Sequence, residues 1–243
     1  MRARVTIFLC VAVSAGAFAS FLGGAPPAEP EFTTDFRLED CESFVPNGGN
    51  PYWSLEPGTI RRYEGMEDGE LVELEIKVLD QIRPVVFKVH GEWKVALTRV
   101  IREKEKVNGE LVEISHNYFA RCPHTEDIFY FGEDVDIYDG GVIVSHEGAW
   151  LAGRHGAKPG LIMPGRFLLG ARYFQEVAPD VAMDRAKHTQ MGLEITTPAG
   201  TFQDCVKVVE STPLEPGHQS VKFYAPGIGL IIDSDVELIE IEN

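Results

Sequence analysis

The sequence predicts an all-β protein, an antiparallel meander that forms a curved sheet or a partly closed barrel, with one short helix. Strand-like runs are punctuated by turn chemistry at Glu67-Asp68-Gly69, Asn108-Gly109, Asp139-Gly140-Gly141, Pro198-Ala199-Gly200 and Pro226-Gly227-Ile228-Gly229. Only 179–186, with Asp180 as N-cap, reads as helical, over about two turns. A sheet with so little helix to cover it must fold against itself.

Residues 1–25 read as a secretory signal peptide. Arg2 and Arg4 precede an uncharged apolar run over 5–22, and small residues and prolines follow it. Ala17-Phe18-Ala19 offers a cleavage site before Ser20, and Ala25 offers a second. Retention as an anchor is the alternative, since roughly 18 apolar residues just span a bilayer. Cys10 lies inside the run and lacks the small residues of a lipidation site. Cleavage gives a periplasmic or extracellular protein with no stable membrane insertion.

Residues 26–49, rich in Pro, Glu, Gly and Asn, are expected to form a flexible linker or arm. The remainder, 50–243, is long enough for a single β domain with its own core. The formal charge of −16, more negative once Arg2 and Arg4 leave, argues against nucleic acid and anionic lipid as partners. It favours cations or basic partners, or simply solubility. Cys41, Cys122 and Cys205 survive cleavage, and all three pairings are open. Position favours Cys41–Cys122, because a covalent tie does most in the polar lead-in, and leaves Cys205 free in a strand.

Along the domain, Asn108-Gly109 suits a type I′ turn and joins 98–106 to 110–118 as a long hairpin. Similar strands follow the first three turns at irregular spacing, which indicates hairpins rather than a solenoid or propeller. Near the end, 192–197 pairs with 201–211, and 220–225 and 230–241 complete the sheet. The stretch 126–150 concentrates the chemistry. A three-residue turn at Asp139-Gly140-Gly141 pairs Tyr138 with Val142, Asp136 with Val144, Asp134 with His146, Gly132 with Gly148 and Tyr130 with Trp150. The odd face, with Phe129, Phe131, Val135 and Ile137, is then the core side, spoiled only by Glu133 opposite Glu147. The even face mixes carboxylates, an imidazole and aromatics, so it meets solvent or lines a cavity.

Four chemistries compete for this region. A calcium loop starting at Asp134 fails, because Tyr138, Asp139 and Ser145 occupy its third-ligand, glycine and closing slots. His116, Tyr118, Cys122 and His124 share strand parity and suggest zinc or copper, although Pro123 interrupts the strand. Carboxylates at Glu147, Glu176, Asp180 and Asp184 lie near His146, His155 and His188, which permits acid/base catalysis, and an Asp134–His146 pair would orient the imidazole and raise its pKa. Finally, Trp150 opens a Gly/Pro-rich connection running to Gly165, long enough to form the mouth of a ligand site.

Several segments together resemble a family of exported bacterial β-rich proteins of uncharacterised activity. They are Asn50-Pro51-Tyr52-Trp53 through Pro57-Gly58-Thr59, Tyr130-Phe131-Gly132-Glu133-Asp134, the loop from Gly148-Ala149-Trp150 to Pro164, Thr212-Pro213-Leu214-Glu215-Pro216-Gly217, and Tyr224-Ala225-Pro226-Gly227-Ile228-Gly229-Leu230. The resemblance covers most of 50–233 and implies, by analogy, a curved sheet similar to that of lipoprotein carriers. Where the family pattern has Glu-Asp after Val-Ala, this chain has Val181-Ala182-Met183-Asp184, so Asp184 keeps part of any shared acidic site and Met183 departs from it.

The resulting expectation is an exported ligand-binding or envelope accessory protein without catalysis. Its site would be formed by Tyr130, Asp134, His146, Trp150, Glu176 and Asp184, and its ligand would be a small amphipathic or apolar molecule. No cofactor or metal is called for. A secreted hydrolase using carboxylates and a metal-binding protein using His and Cys are the alternatives.

Overall fold

The structure is a computed structural model that describes residues 31–242. The expected signal peptide lies outside the described residues. The strands are β1 (Gly49–Asn50), β2 (Trp53–Ser54), β3 (Ile60–Glu67), β4 (Glu70–Val89), β5 (Glu92–Val107), β6 (Glu110–Arg121), β7 (Ile128–Asp139), β8 (Val142–Ser145) and β9 (Trp150–Leu151). They continue with β10 (Lys158–Met163), β11 (Arg172–Phe174), β12 (Glu176–Val177), β13 (Arg185–Thr197), β14 (Gly200–Ser211), β15 (Ser220–Ala225), β16 (Gly229–Asp233) and β17 (Val236–Glu242).

Apart from the β1–β2 ribbon, these strands form one 15-stranded sheet in the order β11-β13-β14-β15-β16-β17-β3-β4-β5-β6-β7-β10-β12, with β8 and β9 also paired to β7. All of its pairings are antiparallel, so the predicted meander is the architecture. The sheet curls into a nearly closed barrel. Its two ends meet at 172–177, where β11 pairs with β13 and, after Gln175, β12 pairs with β10. Gly160 permits that seam, since a Cβ there would stand 2.4 Å from Gln175 C.

Alternation explains which residues point inward. On β4, Val72, Leu74, Ile76 and Val78 are buried, and opposite them on β3 stand Gly65, Tyr63 and Arg61. The intervening residues face outward, where Glu75 meets Arg102 at 2.6 Å and Arg62 at 3.5 Å. The β4–β5 register shifts between Val78 and Ile82. Beyond that shift, Phe87 packs on Phe131 with ring centroids 5.1 Å apart.

The expected linker becomes an arm over this second, outer core. Phe44 is 2 % exposed and its ring lies 5.3–5.7 Å from those of Phe87, Phe129 and Phe131. The Cys41–Cys122 disulfide fastens the arm to the end of β6, and Cys205 is free and buried, as position suggested.

The short helix expected at 179–186 does not form. Ala178 and Ala182 make an isolated bridge around a turn, and β13 has begun by Arg185. An N-cap cannot nucleate a helix whose next residues gain more by pairing with β11 and β14. Among the described residues the sole helical element is a 3-10 turn at Leu38–Asp40.

Candidate functional site

The arrangement of the site turns on Gly132 in β7. Its φ of 143° is strained for any L side chain, and a Cβ there would lie 2.5 Å from Trp150 O and 2.9 Å from Leu151 Cα. Asn117 pairs with Glu133 but Phe119 pairs with Tyr130, so β7 carries one extra residue as a bulge. Side-chain parity therefore reverses within the strand. Tyr130 faces the barrel interior on one side of the bulge, and Glu133 and Val135 face it on the other.

The even face expected from unbroken alternation is thus split. Tyr130 and Trp150 are buried together, edge to face, with centroids 5.2 Å apart. Asp134 and His146 lie on the outer surface and do not pair. Asp134 accepts from Arg83 Nη1 at 2.5 Å and Tyr118 Oη at 2.6 Å. Partial burial pushes its carboxyl up, but these two donors outweigh it and hold it below the usual carboxylate range. His146 Nδ1 instead meets Val135 O at 2.8 Å and Asp136 Oδ1 at 2.9 Å.

The reason is the turn. Asp139 pairs with Val142 around two glycines of positive φ, Gly140 and Gly141, and a register shift then sets Ile137 against Ser145. β9 joins at Gly132↔Leu151 and Glu133↔Trp150. The predicted three-residue turn was one residue too long, and every pairing derived from it moved. Glu133, which looked like a flaw in a core face, is a deliberate buried acid, 6 % exposed.

Beside Tyr130, inside the barrel, is a cavity of about 70 Å³. Trp53, Phe119, Tyr130 and Tyr224 form its aromatic wall, with Phe119 stacked on Tyr130 at 4.6 Å and Trp53 edge-on to Phe119 at 5.1 Å. Its polar lining is Ser54, Arg61, Glu103, Asn117, Lys222 and Asp233. Tyr130 Oη donates to Asn117 Oδ1 at 2.5 Å.

Lys222 Nζ pairs with Glu210 at 3.1 Å and Asp233 at 3.2 Å. Burial alone would strip its charge, but Asp233 and Glu210 reverse that and hold its pKa well above the ordinary value. Glu103 is half-buried on the cavity wall, and desolvation there pushes its carboxyl up to about 7. The buried Trp53 Nε1 and Arg61 Nε find no hydrogen-bond partner among the described residues.

A second group of acids adjoins Tyr130. Asp184 N donates to Glu176 Oε1 at 2.7 Å, which sets the two acids side by side in the interior. Burial, and then the charge of Asp184, pushes Glu176 well above the usual range. Asp184 rises to about 7, chiefly through burial. Burial does the same to Glu133, with Glu113 adding to the effect. Gln175 Nε2 donates to Glu210 Oε1 at 2.7 Å and so links this group to Lys222.

Of the six residues expected to share a site, Tyr130, Trp150, Glu176 and Asp184 are inside the barrel, whereas Asp134 and His146 are outside. Sequence reasoning missed Trp53, Arg61, Glu103, Lys222, Tyr224 and Asp233. A partial signal was present: Arg99, Glu103 and Glu105 share the parity of Ile101 and Val107, and charged residues on the side of a strand that carries core residues mark a polar interior.

The His/Cys metal reading loses its thiol ligand, because Cys122 is in the disulfide. Among the described residues no group of three or more His, Cys, Asp or Glu side chains is placed to hold a metal ion. No helix of the described residues is long and apolar enough to cross a membrane. No protein-family model, curated protein or solved structure matches the chain. The family resemblance accordingly stands on its motifs alone.

Proposed function

We propose that this is an exported protein that binds a small ligand inside its barrel and does not transform it. The observation that carries this reading is the interior cavity, which combines an aromatic wall with charged groups at one site. Trp53, Tyr130 and Tyr224 offer flat apolar contact, and Arg61 and Lys222 offer fixed charge. Native mass spectrometry of the purified protein, followed by a small-fragment screen read by calorimetry, tests it. Saturable binding that is lost in Tyr130→Ala supports the reading. Absence of any bound mass and of any fragment hit ends it.

The hydrolase alternative has one observation in its favour, the desolvated Glu176–Asp184 pair. A carboxyl held protonated beside another is the arrangement that general acid/base chemistry uses. Against it, Glu176 is 2 % exposed and does not line the cavity. Turnover of glycoside or ester substrates that vanishes in Glu176→Gln would establish this alternative. Ligand binding that is indifferent to that substitution would favour the non-catalytic reading.

A further inference from the structure

Arg61 is 6 % exposed and lines the cavity. Its Nη1 donates to Ile228 O at 2.6 Å and its Nε has no partner among the described residues; Glu103 is its electrostatic neighbour, but no carboxylate of the described residues meets it at ion-pair distance. A guanidinium cannot shed its proton, and a buried charge is ordinarily paired, because leaving water uncompensated is strongly unfavourable. On the wall of the same cavity the buried Trp53 Nε1 is a second donor without an acceptor among the described residues. Buried donors left open on the wall of a cavity are complementary to an acceptor that the protein itself does not provide.

Resting on the ligand-binding reading above, we propose that the ligand is a small organic carboxylate, its anionic end on Arg61 and the Trp53 indole N–H and its apolar end against the aromatic wall. Arginine suits this role, because its planar fork matches a carboxylate. Lys222 does not compete for the anion, since Glu210 and Asp233 already neutralise it. The remaining acid on the wall, Glu103, is pushed up to about 7, so near neutrality about half of it is protonated and its repulsion of an anion is reduced. The size of the cavity sets the scale. At 10–15 Å³ per water it holds about five waters, which a short-chain acid would replace.

The test is a calorimetric titration of the full-length protein with three matched probes, butyrate, butyramide and butylammonium. Butyrate is expected to bind at least tenfold more tightly than either of the others. Arg61→Met is expected to lose butyrate binding at least tenfold while its Tm stays equal to the wild-type value or rises, because the substitution removes an unpaired buried charge. A purely structural arginine would give a lower Tm. Trp53→Phe keeps the ring and removes the donor, and a three- to tenfold loss of butyrate affinity is expected; this variant decides the matter if Arg61→Met does not fold. Equal binding of butyramide, tighter binding of butylammonium, or unchanged butyrate affinity in the variants overturns the carboxylate assignment and leaves the cavity reading standing. Failure of all three probes to bind overturns the carboxylate assignment, and the cavity reading then falls only if native mass spectrometry and the fragment screen also find nothing.

Discussion

The two halves of β7 have the same kind of sequence and opposite surroundings. Before Gly132, Tyr130 turns into the barrel and Phe129 and Phe131 turn out under Phe44 of the arm. After it, Glu133 turns in and Asp134 turns out to Arg83. Two adjacent carboxylates therefore behave oppositely, since burial lifts Glu133 well above the usual range while hydrogen bonds hold Asp134 below it. The chemistry of a side chain here follows its face, and one glycine assigns the face.

Breaking that assignment should have the largest effect. Gly132→Val adds a clash with Trp150 and Leu151 to backbone strain and is expected to cost about 4 kcal/mol of stability in urea unfolding. A loss below about 1 kcal/mol would mean that β9 can retreat and that the bulge is not required. Removal of the disulfide in a Cys41→Ala/Cys122→Ala double variant acts on the outer core alone and should cost about 2–4 kcal/mol. Hydrogen exchange should then quicken over 41–50 while amides lining the cavity keep their protection.

The inner half should reveal itself through pH. Burial lifts Glu103, Glu113 and Asp184 to about 7 and raises Glu133 and Glu176 well above the ordinary value, whereas unfolded carboxyls titrate at about 4. Between these values the folded state holds more protons than the unfolded one, so stability falls as pH rises through that window. His188 opposes the trend, because burial lowers it to about 4 and acidification below about 6.5 favours the unfolded state. The acids outnumber it, so Tm at pH 5.5 should exceed Tm at pH 8 by about 5 °C or more. Glu176→Gln should flatten the profile, and a Tm that rises toward pH 8 would contradict the buried-acid network. The smallest effect belongs to the outer surface. Asp134→Ala and His146→Ala should each change stability by less than about 1 kcal/mol, because exposed pairs contribute little.

The fold class was legible because turn chemistry is local. Asn108-Gly109 closes the hairpin where its positive-φ preference placed it, with Val107 opposite Glu110. The disulfide was legible for a similar reason, since Cys41 sat in the segment most in need of a tie. The site was less so. Gly132 is one of many glycines, and nothing in its neighbours distinguishes a bulge from a regular strand position, yet it reverses everything beyond it. Arg61, Lys222 and Asp233 come from β3, β15 and β16, which only barrel closure brings to one cavity. Residues so distant in sequence carry no common local pattern.

That closure also orders events in time. β17 completes the barrel by lying along β3, with Glu242 opposite Ile60 and Val236 opposite Gly65. β3 thus has β4 on one edge, across a short turn, and on its other edge a strand from the far end of the described residues. Until β17 docks, that edge of β3 keeps its backbone N–H and C=O groups unpaired. Pairing between strands so far apart in sequence forms late, because its loop-closure entropy must be met first. The edge of β3 is therefore where an unfinished chain is most open to pairing with a second copy.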